Sequence, residues 1–155
     1  MTSKHASLLV FLCLTSSLVY ANSFTVRASI DPFTDEPNAV FVLHSIKNTA
    51  SLFHYCAHEK VHSVIVDHSK LPLDKQIHVE ANIDGGVVNR LVGSGAEGGN
   101  RAYLLDDEGL LADEMMDGNW MVLRVDGRDN MYAQHTFSLV GVRAAIREVL
   151  TTCQK

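Results

Sequence analysis

His54-Tyr55-Cys56-Ala57-His58 is the stretch whose residue types and spacing come nearest to chemistry. On an extended strand, residues two apart share a face, so His54, Cys56 and His58 would line up. With His62 nearby, such a set could hold zinc and leave one position open for water, the arrangement of a metal-dependent hydrolase. A competing demand falls on the sulfur. Cys56 and Cys153 are the two cysteines left once an export leader is removed, and an even pair in an oxidising compartment forms a disulfide. A bridged sulfur is no thiolate ligand, so the expectation is a Cys56–Cys153 disulfide, no metal and no cofactor.

Other candidate motifs fail for physical reasons. Gly93-Ser94-Gly95-Ala96-Glu97-Gly98 matches the dinucleotide pattern, which works only where a helix opens at once and offers its N-terminus to pyrophosphate. Here Gly99-Asn100-Arg101 follow with no helical stripe. Gly93, Ser94, Gly95 and Glu97 are read instead as part of a mobile loop over 93–99, a candidate interaction loop. Ser94 has glycine directly on each side, whereas a nucleophile elbow spaces them as G-x-S-x-G. Residues 126–130 lack the spacing of a calcium loop. A catalytic triad is assembled in space, and linear spacing is silent on one. Trp120 begins an apolar strand and is expected in the core.

The elements that must position these residues are mostly strands. Phe24 to Ile30 alternates apolar and polar, as a half-buried strand does. Further strands are expected over 39–46, 52–59, 61–67, 76–84, 87–92, 120–125 and 131–140. The stretch 101–105 is ambiguous, and 107–116 reads as a short helix. Asp84-Gly85-Gly86 is a hairpin signal. The end of the chain organises the rest. After Gly141, the residues Val142, Ala145, Ile146, Val149, Leu150 and Cys153 fall on one helical stripe, which needs a sheet to cover. Short connections exclude a purely parallel sheet. The expected fold is α+β: an antiparallel, strongly bent sheet or partial barrel, capped by the C-terminal helix.

Composition narrows the setting. Residues 1–21 read as a signal peptide, with Lys4, an apolar run from Ala6 to Leu14 and a Val19-Tyr20-Ala21 cleavage site. That run is shorter than the ~20 residues a spanning helix takes. Residues 22–155 are then one exported domain, periplasmic or secreted, with no membrane span after signal removal. The whole chain carries 13 basic and 18 acidic residues, and losing Lys4 takes the formal charge from −5 to −6. No two basic residues are adjacent, which argues against nucleic acid as a partner. Asp106, Asp107, Glu108, Asp113, Glu114 and Asp117 form an acidic run, read as solvated surface.

A set of features now aligns with a known family: Asp31-Pro32-Phe33-Thr34-Asp35 after a first strand, Cys56 in a later strand, Asp84-Gly85-Gly86, and Phe137-Ser138-Leu139-Val140-Gly141-Val142-Arg143-Ala144-Ala145 with a closing Cys153. The chain resembles the small exported proteins of the VasI/TagO type, associated with type VI secretion. The resemblance implies a non-catalytic accessory or binding protein of the cell envelope, with an envelope or secretion-machinery protein as partner. Two other readings stand beside it: an exported inhibitor or phage-type exclusion factor that binds an envelope partner, and the hydrolase using His54 and His58.

Overall fold

Alternation of apolar and polar residues sets the architecture. The computed structural model describes residues 24–30, 37–57, 60–67, 76–95, 100–105, 110–126 and 132–153. They form nine strands: β1 (Phe24–Ile30), β2 (Pro37–His44), β3 (Ala50–Ala57), β4 (Lys60–Asp67), β5 (Gln76–Ile83), β6 (Val88–Gly95), β7 (Arg101–Leu105), β8 (Trp120–Asp126) and β9 (Tyr132–Ser138). Two helices complete the described elements, α1 (Leu110–Asp117) and α2 (Val142–Cys153). The strands make one sheet in the order β1-β2-β3-β4-β7-β6-β5-β8-β9, with every pairing antiparallel. It is open, with β1 and β9 at its edges. The signal-peptide residues and the Asp31–Asp35 turn lie outside the described residues.

Period-two alternation gives the sheet two unlike faces. The inner face carries Ala39, Phe41 and Leu43 of β2, Leu52 of β3, Ile65 of β4, Ile77 and Val79 of β5, Met121, Leu123 and Val125 of β8, and Phe137 of β9, all fully buried. Strand β7, the ambiguous stretch, supplies Ala102 and Leu104 and joins β4 to β6. These residues form a single core with Leu111, Ala112 and Met115 of α1 and the stripe of α2. That stripe is Val142, Ala145, Ile146, Val149 and Cys153, all buried. Leu150 is partly buried against the same core. Burying a Val or Ile side chain in full stabilises by about 1.5–3 kcal/mol, which is why this helix follows its apolar stripe and not its charges.

Two turns aim the elements. In the β5–β6 hairpin, Asp84 and Gly85 both take positive φ, 51° and 73°, the demand of a two-residue primed turn. At Gly141, φ is 85°. This glycine pivots the chain out of β9 so that α2 turns back onto β1 to β4, against which it packs.

The helix is fastened at its far end. Cys153 is bonded to Cys56 across 97 positions, with the two Cα atoms 5.2 Å apart. Both cysteines are buried. In the chain-entropy account, closing a loop of this order stabilises by about 4–5 kcal/mol, and loss of a native bridge in a small exported domain costs about 2–5 kcal/mol. Cys153→Ser should therefore lower the unfolding free energy by about 2–5 kcal/mol in urea titrations. An unchanged midpoint would show that the clamp carries no stability.

Candidate functional site

The histidine strand resolves into two faces. His54 points inward with Cys56 and is 1% exposed. His62 sits across from Tyr55 and stacks on it with ring centroids 5.3 Å apart, on the outer face. The sulfur of Cys56 is committed to Cys153, and His58 lies outside the described residues. Among the described residues, no group of three or more His, Cys, Asp or Glu is placed to hold a metal ion.

His54 occupies the middle of an inner row that runs Phe41, His54, Ser63, Leu104, Gly93, Ile77 across six strands. Its Nδ1 is 2.9 Å from Ser63 Oγ, and its ring stacks on Phe41 at 6.0 Å. Nε2 is buried with no hydrogen-bond partner. Burial pushes the imidazole down to about 4 from its ordinary 6.5, because the charged form would lose its water.

Gly93, Ser94 and Gly95 are not a loop. They complete β6 and pair with both β5 and β7. Gly93 is glycine because of close approach: a Cβ there would lie 3.0 Å from Tyr103 O and 3.3 Å from Ile77 and Leu104 side chains. Ser94 points outward and is exposed, beside Tyr103 in register. Glu97 lies outside the described residues. Trp120 is not in the core either; it is 41% exposed. The alternation of β8 gives the inner positions to Met121, Leu123 and Val125, leaving Trp120 on the other side.

The outer face divides in two. Across β6, β5, β8 and β9 it carries a charged cluster beside the exposed Val88 and Trp120: Glu80 accepts from Arg90 Nε at 3.3 Å and Arg124 Nη1 at 3.2 Å. The Arg124 guanidinium lies 4.7 Å from the centre of the Tyr132 ring. Across β2, β3, β4 and β7 the same face is apolar and aromatic. Register places Val42, Phe53, Val64 and Tyr103 in one row, continuing to Ser94, with Val40, Tyr55 and His62 in the next. Tyr103 is 46% exposed, while Val40, Val42, Phe53 and Tyr55 are half-buried. Burial pushes the Tyr55 hydroxyl above its ordinary range, and the charge of neighbouring Tyr103 adds to this. Both described helices contribute to the core on the opposite face.

A polar constellation that linear spacing could not reveal lies where β9 meets the β2–β3 turn. His135 Nε2 is 2.6 Å from Asp67 Oδ2, and His135 Nδ1 is 2.9 Å from Thr49 Oγ1. Asp67 and His135 are buried, and Thr49 is exposed. Ser45 Oγ shapes the turn by accepting from the backbone N–H groups of Thr49 and Ala50, both at 3.0 Å. The sequence signal for this group is strand parity: Asp67 follows Ser63 and Ile65, and His135 precedes Phe137, so both fall on inward positions.

Glu114 and Asp117 of the acidic run line, together with Asp84 of the hairpin, a cleft of about 320 Å³. Its carboxylates have structural partners. Asp84 accepts from the backbone N–H of Trp120, which holds its carboxyl below the usual range against the opposing effect of desolvation, and the N–H groups of Asn119 add to the lowering. Glu114 accepts from Asn89, and Asp117 pairs with Arg143.

Comparison with models of known protein families, with curated proteins and with solved structures returns no match.

The His54 geometry predicts a pH dependence. The folded state holds His54 neutral down to about 4, while the unfolded chain takes up that proton near 6.5. Stability is thus full above about pH 6.5 and falls as pH drops toward 4, by roughly 3 kcal/mol for this group. A His54→Phe, Ser63→Ala double variant removes both partners together, leaving no new orphan. Its urea-derived stability should lose that part of the slope between pH 6.5 and 4; an unchanged slope would contradict the assignment.

Proposed function

We propose that this chain is an exported accessory protein of the cell envelope that acts by binding a protein partner, similar in kind to the VasI/TagO-type proteins associated with type VI secretion. The observation that carries the reading is the unlike pair of faces on the sheet. One is sealed by α1, α2 and the disulfide, and the other presents Val40, Val42, Phe53, Tyr55 and Tyr103 outward. Aromatic residues held on a rigid scaffold and rimmed by polar groups are the usual anchors of protein recognition. The charged half of the same face supplies the rim through Arg90, Glu80 and Arg124.

The disulfide supports an oxidising compartment, periplasmic or secreted, as the working location. Among the described residues no helix is long and apolar enough to cross a membrane. The residues behind the resemblance also have structural work here. Phe137, Leu139 and Ala145 are buried, Gly141 is the pivot, and Asp84 ties the β5–β6 hairpin to the start of β8. In this reading the sheet is strongly bent toward a partial barrel. The bond from Ile46 N to Thr136 O, 2.8 Å, supports it by linking edge strand β9 to the β2–β3 turn. Binding through this face serves an inhibitor or exclusion factor equally well, with a different partner.

The test places a charge on each candidate surface. With the tagged protein as bait in an envelope extract, Tyr103→Asp and Phe53→Asp should weaken capture of the wild-type partner by about 2 kcal/mol or more, ~30-fold. Val87→Asp, on the hairpin at 83% exposure, should leave it unchanged. The reverse pattern, at unchanged melting temperatures, would move the interface away from the outer face.

A further inference from the structure

We propose that Thr49 is an activated nucleophile, served by His135 as general base and Asp67 as the positioning residue, and that it accepts acyl groups from small activated esters. The inference goes beyond the binding reading and stands independently of it, since it uses residues of the inner face and of a turn. It departs from the non-catalytic role that the resemblance implies and from the failure of the linear motifs.

Three features carry it. The hydroxyl and the imidazole are within hydrogen-bond reach, 2.9 Å from Thr49 Oγ1 to His135 Nδ1. The base is held by a third group, since Asp67 Oδ2 lies 2.6 Å from Nε2. Asp67 is fully buried and His135 nearly so, while Thr49 opens to solvent. A buried carboxylate accepting from Nε2–H fixes the neutral tautomer whose Nδ1 lone pair faces the hydroxyl. That is the division of labour in nucleophile–base–orienter triads.

The chemistry balances within these groups. Thr49 Oγ1 attacks the carbonyl carbon of the ester, and its proton passes to His135 Nδ1. The carbonyl electron pair moves to oxygen and returns as the bond to the leaving alcohol breaks. The leaving oxygen takes the proton from Nδ1. Water then attacks the acyl-threonine, giving its proton to Nδ1, and Thr49 leaves and takes that proton back. The net reaction is ester hydrolysis.

The same turn sets the scope of the substrate. The backbone N–H groups of Ile46, Asn48, Thr49 and Ala50 are committed to Thr136 O, Ser45 O and Ser45 Oγ. They are not free to receive an oxyanion. Loss of one such donor costs about a hundred- to a thousandfold in rate. The chain therefore suits esters with good leaving groups and not peptides.

The test uses the full oxidised protein and p-nitrophenyl acetate, following p-nitrophenol release and mapping the acetyl group by peptide mass. The expected result is acetyl on Thr49, at a rate that rises as the pH is raised from acid, as general-base catalysis requires. Thr49→Val should abolish that burst without disturbing the fold. Thr49→Ser keeps the hydroxyl, removes the crowding methyl and should react faster. His135→Gln should slow the burst by about a hundredfold or more. Asp67→Asn should move the midpoint of the pH profile as well as lower the rate, which a purely structural role would not do. Should the His135 or Asp67 variants fail to fold, the Thr49 pair and the pH profile still decide. Acetyl found on lysines or other histidines with none on Thr49, or a burst unchanged in Thr49→Val, overturns the proposal.

Discussion

The fold depends on covering one face of a nine-stranded sheet. Nine strands present a continuous apolar inner face, and only α1 and α2 among the described helices lie over it. Helix α2 has twelve residues, a length that is marginal as an isolated helix in water. It persists because its stripe is buried and because both ends are held. Gly141 fixes the entry, and the Cys56–Cys153 bond fixes the exit. The disulfide therefore acts on a particular element: it keeps a short lid over Phe41, Leu52 and their neighbours. Sealing that face leaves Val40, Val42, Phe53, Tyr55 and Tyr103 on the opposite one.

Buried polar groups mark where this arrangement stores specificity. Ser45, His54, Ser63, Asp67 and His135 are the buried polar and charged residues described; Ser45 bonds within its turn, and the other four occur in strand-crossing pairs. His54 meets Ser63 between β3 and β4. His135 meets Asp67 and Thr49 between β9, β4 and the β2–β3 turn. An unpaired buried group of this kind costs about 1–3 kcal/mol, so each pairing selects its own register over a slipped one. The second cluster brings together residues 86 and 68 positions apart. It holds β9 to the rest of the molecule at a point where the sheet ladder does not.

Local pattern made the regular elements legible. The alternation of Phe24 to Ile30, the glycine hairpin at 84–86, the terminal stripe and the cysteine pair all match the structure, because each is set by short-range periodicity or by elimination. Glycines at 93 and 95 predict a loop where the chain forms a strand, since glycine signals both flexibility and close packing and, at Gly93, only the neighbours Tyr103, Ile77 and Leu104 distinguish them. Its place at the start of an apolar strand predicts a core position for Trp120, where the phase of the strand decides otherwise. Strand β7 was obscure because its five residues gain meaning only from β4 and β6. The Asp67–His135–Thr49 group was invisible for the same reason, although polar residues at inward positions of apolar strands already ask for partners. The run from Ala39 to Leu43 is apolar on both phases, a sign of the outer aromatic surface.

Hydrogen exchange on the native protein, oxidised and then reduced without denaturant, tests most directly whether α2 is a lid held by its disulfide. On this account, reduction speeds exchange first in the last turn of α2, from Thr151 back toward Val149, and then in β3 around Cys56. The ladder of β5, β6 and β8 should keep its protection. Uniform loss of protection over the whole sheet, or no change in α2, would contradict the view that the clamp acts through the helix.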